Sequence, residues 1–577
     1  MRHVRFVGAG ALVALILTGG CDGGGGSSSP GAGGEGGQGG AGGQADCSPD
    51  DVWQGDGRSV YIEAECAYGP NVGDCNGCIS GSQVGTMLEN ADTTIGYFDG
   101  GDYLMYKSVD LTGLNTLRMR YATQNSGEVR ISIDAIDGTK IASWPPEPTG
   151  GWTNFTDASV PIEPVTGAHD LYLVGAGSTQ GIVNLDYLIA GVCQPNCSGK
   201  SCGPDGCGGE CGTCSGQDFC TADGQCEPCV PDCAGKACGD DSCGGTCGDC
   251  GAGEVCTADR TCVDYATLGG PQRVHVEGAT IKDPDGQTQI LRGVSLIDIG
   301  AQHVWRTGGV PGMIDRLTET GWNTRILRFP IYISAQPYPF SLTDPLARER
   351  YMTELLRPAV DYATKKGLYV IIDFHEIADI TEREDARTQT FWRYMARQFA
   401  DYPNVIYEVF NEPIRVGDAC QLADSCWPAF KERADRWVSL IREAAPSTLV
   451  LVGGPSWSQV IGPAATNPIA DTNVAYVGHI YPMHVSSTFV ENEIRACAAV
   501  HPVILTEWGY GFDPANPTAD KAPYVDIVKA MADEFGMGYT AWVADNEWGP
   551  PMYTDATETT LSDFGEFARD WLAAGPP

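Results

Sequence analysis

The chain has 577 residues, with 36 Lys plus Arg against 74 Asp plus Glu and a formal net charge of -38. One hydrophobic core does not serve that length, so three or four domains are expected. The acidic balance excludes a nucleic-acid binder, whose phosphates need basic partners, and favours an uncharged ligand.

Met1 to Gly20 opens with Arg2, His3 and Arg5, continues through the apolar run Phe6–Leu17 and ends in small residues before Cys21. This is the pattern of a signal peptide (1–20), and the apolar run is short for a mature membrane-spanning helix. A Cys directly after the small residues resembles a bacterial lipobox, which implies a lipid anchor on Cys21 and a membrane partner. Thr18 stands where such boxes usually have Leu, and an ordinary secretory signal is the alternative. The expected location is the cell envelope, at the outer membrane or cell surface, or the medium. Asp22 to Ala45 is nearly all Gly, Ser, Ala and Gln, so 21–57 reads as a flexible tether. Export also accounts for the 24 cysteines, since disulfides persist in an oxidising compartment. Setting Cys21 aside leaves 24 − 1 = 23, an odd number, so at least one thiol is unpaired.

From 58 to 193 short alternating runs are separated by turn signals. Val60-Tyr61-Ile62, Tyr103–Tyr106, Leu117–Tyr121, Val129–Ile133 and Leu171–Val174 read as strands, with turns at Asn125-Ser126-Gly127, Asp137-Gly138 and Gly150-Gly151. No helical period appears, so an antiparallel β-sandwich is expected. Cys66, Cys75 and Cys78 are expected to pair among themselves and Cys47.

Between 193 and 262, eight cysteines at 193, 197, 202, 207, 211, 214, 220 and 226 recur 36 residues later. The residues between them cannot build a core, so disulfides must hold each repeat, four bridges to a unit. The alternative is zinc, because Cys211-x2-Cys214 has ligand-like spacing. A semi-rigid spacer is the expected role.

From 268 to 577 short apolar runs alternate with amphipathic helices. Strand candidates are Ile290–Ile297, Thr324–Phe329, Leu368–Phe374, Val405–Phe410, Leu449–Gly454, Ala475–Ile480, Val503–Glu507 and Gly538–Val543. Helices fall between them, at Leu346–Lys366, Gln389–Tyr402, Trp427–Ala445 and Ala522–Phe535. Eight such units fit a closed (β/α)8 TIM barrel, with Val274–Gln289 as a hairpin plugging its floor. A disulfide between Cys420 and Cys426 would stiffen a cleft wall, and Cys497 is the candidate free thiol.

In such barrels chemistry sits at the C-terminal ends of the strands. Those ends carry Arg328, His375, Asn411-Glu412, His479, Tyr481, Glu507 and Trp542. Glu412 and Glu507, on strands four and seven, would face each other across the mouth, as glycosidic hydrolysis by two carboxylates requires. Arg328 would keep a nearby nucleophile ionised, and lack of such a partner would let the other carboxyl hold its proton. Asp373 reads as structural, while Asp545 and Glu547 lie near the mouth.

Asn411-Glu412-Pro413, with Glu507 ending a later strand, resembles glycoside hydrolase family 5, and that family's eight characteristic positions each have a match over 268–577. The resemblance implies a retaining endo-β-glycanase with Glu412 as acid/base, Glu507 as nucleophile and no cofactor for catalysis. It implies that Asn411 bonds the sugar 2-hydroxyl, that Tyr481 and Arg328 position Glu507, that His375 and His479 bind sugar or orient carboxylates, and that Trp542 stacks under a sugar. A carboxylate separation of about 5–5.5 Å follows. A cellulose-like β-1,4-glucan is the expected substrate, with β-mannan, xylan or another β-glucan as alternatives. A transglycosylase and a non-catalytic carbohydrate-binding surface protein are the rival functions, and a monomer is expected.

Tyr61-Ile62-Glu63-Ala64-Glu65, Ile95–Asp99, Gly150-Gly151-Trp152 and Asn184–Tyr187 resemble a family 6 carbohydrate-binding module. The resemblance implies a sugar held between Tyr97 and Trp152 and bonded by Asn184, and a structural calcium ion on Glu63, Glu65 and Asp186. Aromatic faces suit the apolar faces of sugar rings, and all-oxygen ligation suits a hard cation.

Overall fold

The computed structural model describes residues 60–63, 79–80, 85–89 and 92–576, apart from 126, 177–180, 193–195, 204, 206–210, 213, 215–217, 222, 229, 242, 244, 334–336, 343–344, 417–425, 486–487 and 514. The export segment, Cys21, the tether, Glu65, Cys47, Cys66, Cys75, Cys78 and Cys420 lie outside the described residues.

Two antiparallel sheets form the N-terminal sandwich. One runs in the order Gly85–Glu89, Asp92–Phe98, Val183–Gly191, Thr116–Ala122, Thr156–Pro161, with Val60–Glu63 added against Val183–Gly191. The other runs Ile79–Ser80, Tyr103–Asp110, Ala168–Gly175, Val129–Ile133, Thr139–Trp144. The alternation that predicts strands also builds the core. Leu117, Met119 and Tyr121 point inward, Arg118 and Arg120 outward, and the inward set packs on Leu104, Ile131, Leu171 and Leu173. Several strands escape the sequence reading because they bury little. Thr139–Trp144 buries only Ile141 and Trp144.

Disulfides close the repeats in one pattern, used twice. Cys197–Cys211, Cys202–Cys220 and Cys214–Cys226 recur as Cys233–Cys247, Cys238–Cys256 and Cys250–Cys262. Cys211 and Cys214 are thus each bonded elsewhere, which removes the zinc alternative. The second repeat is not a free spacer, because it is fixed to the barrel. Val255 is fully buried in the barrel's hydrophobic core. Arg260 pairs with Glu349, Ala258 N donates to Asp361 Oδ2 at 2.7 Å, and the Cys256 carbonyl accepts from Arg357 Nη1 and Tyr402 Oη at 3.0 Å each. The first repeat has Phe219 and Gly224 where the second has Val255 and Arg260. A repeat pattern read through its cysteines hides that difference.

Eight parallel strands close the barrel: Arg292–Ser295, Ile326–Ile331, Tyr369–Phe374, Val405–Glu408, Val450–Val452, Val474–Ile480, Val503–Trp508 and Gly538–Ala541. The hairpin His275–Glu277/Thr280–Lys282 plugs the floor, where Val274 and Ile281 pack on Ile326, Ile371, Ile406 and Ile504. The helix expected over Leu346–Lys366 is broken into Pro345–Tyr351, a π turn Met352–Leu356 and Arg357–Lys365. Pro358 has no N–H to donate one turn back, and the wider turn absorbs that loss. The helix expected from Gln389 begins at Glu382, where Thr381 accepts a hydrogen bond from Glu384 N at 3.2 Å. Among the described cysteines, Cys497 is free and buried, and Cys426 is disulfide-bonded.

A two-stranded parallel sheet stands at the mouth, Ile377–Ile380 against Glu412–Val416. Strand four ends at Glu408, so Glu412 belongs to this rim strand. Asn411 N donates to Phe374 O and Glu412 N to Glu376 O, each at 3.0 Å. These two bonds clip the Asn411-Glu412 backbone to the end of strand three.

Candidate active site

Arg328 is the hub of the barrel mouth and is completely buried. Its guanidinium grips Glu408 with two parallel bonds, Nε to Oε2 at 2.8 Å and Nη2 to Oε1 at 3.1 Å. Nη1 donates to Glu507 Oε1 at 2.9 Å, and Nη2 reaches Asn411 Oδ1 at 2.6 Å and Asp373 Oδ2 at 2.9 Å. Burial alone would favour loss of the Arg328 proton, but Asp373, Glu408 and Glu507 reverse that and hold the group charged.

Glu507 and Glu412 stand in unlike surroundings. Glu507 receives two donors, Arg328 and the Tyr481 hydroxyl, the latter at 2.8 Å from Oε2. Glu412 has His479, whose Nδ1 lies 2.8 Å from Oε1. Burial pushes the Glu412 carboxyl up to about 8; Arg328 opposes this, while Asp373 and Glu408 add to it. His479 is pushed down to about 4 by burial, so its ring is neutral at ordinary pH. One oxygen of Glu412, one oxygen of Glu507 and a ring nitrogen of His479 all lie within 4.8 Å of one another. That separation of the carboxyls matches a retaining pair and is short of the ~6.5–9.5 Å that an inverting water requires.

His375 Nδ1 contacts Asp373 Oδ2 at 2.6 Å, and the ring lies parallel to Trp542, centroids 5.4 Å apart and planes 4° apart. Burial holds His375 down at about 3 and Asp373 up at about 7, Arg328 lowering both. Trp542 Nε1 donates to Gly549 O at 3.1 Å. Asn411 Nδ2 is buried with no hydrogen-bond partner in the protein, leaving a donor for a ligand hydroxyl. The structure therefore brings Arg328, His375, Asn411, Glu412, His479, Tyr481, Glu507 and Trp542 to one site.

Two members of the site are missed by reading strand ends alone. Glu408 anchors Arg328 from within the expected run Val405–Phe410, and Thr506 links Glu408 to His479, at 2.9 Å and 3.0 Å. The signal for Glu408 is a charge within the apolar run Val405-Ile406-Tyr407-Glu408, since a buried charge needs a partner. Asp545 is fully buried and holds Arg306 Nε at 2.6 Å, while its other oxygen accepts from the backbones of Glu547 and Trp548. Asp545 thus builds the loop beside Trp542.

In the sandwich, Tyr97 is 58% exposed and takes a positive φ of 57°. Trp152 is half-buried in its loop, and its carbonyl accepts from Asn184 Nδ2 at 2.9 Å. Gly181 has φ +62°, and a Cβ there would meet the Trp152 ring at 2.9 Å, so only glycine fits under that ring. Asp186 pairs with Arg120 Nε at 3.0 Å. Glu63 stands opposite Tyr187 in the strand register, one position along from Asp186.

The family model described as "Cellulase (glycosyl hydrolase family 5)" matches residues 283–547, and that of "Carbohydrate binding module (family 6)" matches 79–189. Endoglucanase E-5 of Thermobifida fusca is 29% identical over 288 residues, covering 47% of this chain and 55% of that protein. Endoglucanase Z of Dickeya dadantii is 34% identical over 206 residues, covering 35% of this chain and 46% of that protein. The chain thus spans about half the length of the curated relatives it matches. A solved β-glucanase from Saccharophagus degradans, in complex with cellotetraose, aligns at 24% identity and TM-score 0.46, covering 53% of this chain and 95% of that one. The barrel over residues 283–547 belongs to glycosyl hydrolase family 5, and the sandwich over residues 79–189 is a family 6 carbohydrate-binding module.

Proposed function

We propose that the protein is a retaining endo-β-1,4-glucanase that carries its own glycan-binding module. The observation that carries this reading is the unequal pair Glu412 and Glu507, close enough for double displacement and differently surrounded. Glu507, held by Arg328 and Tyr481, attacks the anomeric carbon and forms a glycosyl-enzyme ester. Glu412 gives its proton to the departing oxygen, then takes one from the water that cleaves the ester. Asn411 Nδ2 donates to a sugar hydroxyl, and Trp542 and His375 line the sugar site. The curated relatives' name, endoglucanase, supports a β-1,4-glucan over β-mannan or xylan.

In the module, Tyr97 and Trp152 grip a sugar ring beside Asn184. Glu63, Glu65 and Asp186 offer an all-oxygen donor set that suits calcium. Arg120 now neutralises Asp186, so a calcium ion there would displace that guanidinium. The proposed domain order is an exported, lipid-anchored start at Cys21, a tether to 57, the sandwich to 193, the repeats to 262 and the barrel from 268. Six disulfides among the described residues fit an oxidising, exported setting.

The test is product analysis on cellulose, β-mannan, xylan and mixed-linkage glucan with wild type and Glu507→Gln. Internal cleavage of the β-1,4-glucan by wild type alone is expected. Equal release by both proteins on every substrate would overturn the reading.

A further inference from the structure

Strand five is followed by Gly453-Gly454-Pro455 and then by three successive non-glycine residues in left-handed backbone: Ser456 (φ 57°), Trp457 (φ 58°) and Ser458 (φ 56°). A single such residue is uncommon outside glycine, and a run of three persists only where its surroundings impose it. The two glycines allow the chain to fold over itself. A Cβ on Gly453 would stand 2.2 Å from Ser458 Oγ, and one on Gly454 would stand 2.0 Å from Val460 O.

The turn touches both halves of the carboxylate pair. The buried Ser458 hydroxyl donates to the Asn411 carbonyl at 2.7 Å, on the peptide that leads into Glu412. The next residue, Gln459, places its carboxamide 3.3 Å from His484 Nε2. His484 Nδ1 accepts from Tyr481 N at 3.1 Å, so Nε2 carries the ring hydrogen; the carboxamide atom placed opposite it is Gln459 Nε2, and exchanging the amide's near-identical N and O ends gives Nε2–H an oxygen acceptor. Tyr481 in turn donates to Glu507.

We propose that Ser458 and Gln459 are positioning residues, joined by the left-handed turn into a bracket that fixes the spacing of Glu412 and Glu507. The inference rests on the assignment of those two carboxylates as the reacting pair. It explains why strain is tolerated here: a rigid turn transmits position, whereas a relaxed loop would let the two arms drift.

The test uses the full chain with Ser458→Ala and Gln459→Leu, assayed on cello-oligosaccharide and on an aryl β-cellobioside whose leaving group needs no acid. Both variants are expected to lose about 10- to 100-fold in kcat on cello-oligosaccharide with KM nearly unchanged. Ser458→Ala should lose less on the aryl glycoside and shift the basic limb of its pH profile, because it acts on the Glu412 arm. Gln459→Leu should lose equally on both, because it acts on the Glu507 arm. Should Ser458→Ala fail to fold, Gln459→Leu carries the test. Wild-type kcat and pH profile in folded variants, with Glu507→Gln inactive, would overturn the bracket alone. Activity in Glu507→Gln would overturn the carboxylate assignment and the bracket with it.

Discussion

His479 Nδ1 lies 2.8 Å from Glu412 Oε1, and the direction of that bond is set from the other side of the ring. The Thr506 hydroxyl donates its one proton to Glu408 Oε1 at 2.9 Å, so it can only accept from His479 Nε2 at 3.0 Å. Nε2 therefore carries the hydrogen, Nδ1 is an acceptor, and the proton between His479 and Glu412 sits on Glu412. The chain from Glu408 through Thr506 and His479 keeps Glu412 in its acid form.

Thr506→Val removes the acceptor for Nε2 and frees the other tautomer, which donates to Glu412 and favours its ionised form. The expected outcome is a basic limb of kcat/KM displaced to lower pH and kcat lowered by about tenfold. A pH–rate profile on cello-oligosaccharide measures both.

Glu412 itself gives pH dependence of known sign. Its carboxyl is raised in the folded state to about 8 from 4.5, chiefly by burial. Between those values the unfolded chain binds fewer protons than the folded one, so this group's contribution is complete below about 4.5 and is lost as pH rises through about 8. Activity that needs the acid form should fall over the upper end of the same range. Urea titrations of Glu412→Gln should show a weaker loss of stability between pH 5 and 8 than wild type.

Arg328 joins Asp373, Glu408 and Glu507 and is completely buried. Arg328→Met leaves buried carboxylates unpaired and should cost about 3–5 kcal/mol in chemical denaturation. Arg328→Lys keeps the charge but loses the two-pronged grip on Glu408, so it should recover part of the stability and little of the kcat.

For the module, Trp152→Ala is expected to abolish retention on insoluble polysaccharide while leaving hydrolysis of soluble cello-oligosaccharide intact. A pull-down beside a rate assay separates the two. Retained affinity would place the glycan site elsewhere.

Val255 puts the second repeat into the barrel core. Val255→Ala should lower barrel stability by about 2 kcal/mol, read from the barrel's own unfolding transition.

The strands of the barrel are legible because each is a short apolar run, and all eight appear close to where periodicity puts them. The eight mouth residues are legible because polar groups at the ends of apolar strands stand out. Glu408 and Thr506 are less so, since each serves another side chain and each lies inside the apolar run that marks its strand, Val405–Phe410 and Val503–Glu507. The rim strand at Glu412 escapes because it pairs with Ile377 at a distance in sequence that no local pattern encodes. The docking of the second repeat escapes for a related reason: Val255 and Arg260 look like incidental departures from the first repeat until Glu349, Asp361 and Tyr402 are brought beside them.

In the proposed mechanism Glu507 attacks the sugar carbon while Glu412 moves protons. Inactivation with a 2-deoxy-2-fluoro β-cellobioside bearing a good leaving group traps the glycosyl-enzyme, and mass spectrometry of the digested protein locates it. The label is expected on the peptide that contains Glu507. Label on Glu412, or hydrolysis that inverts the anomeric centre with no trapped ester, would overturn these roles.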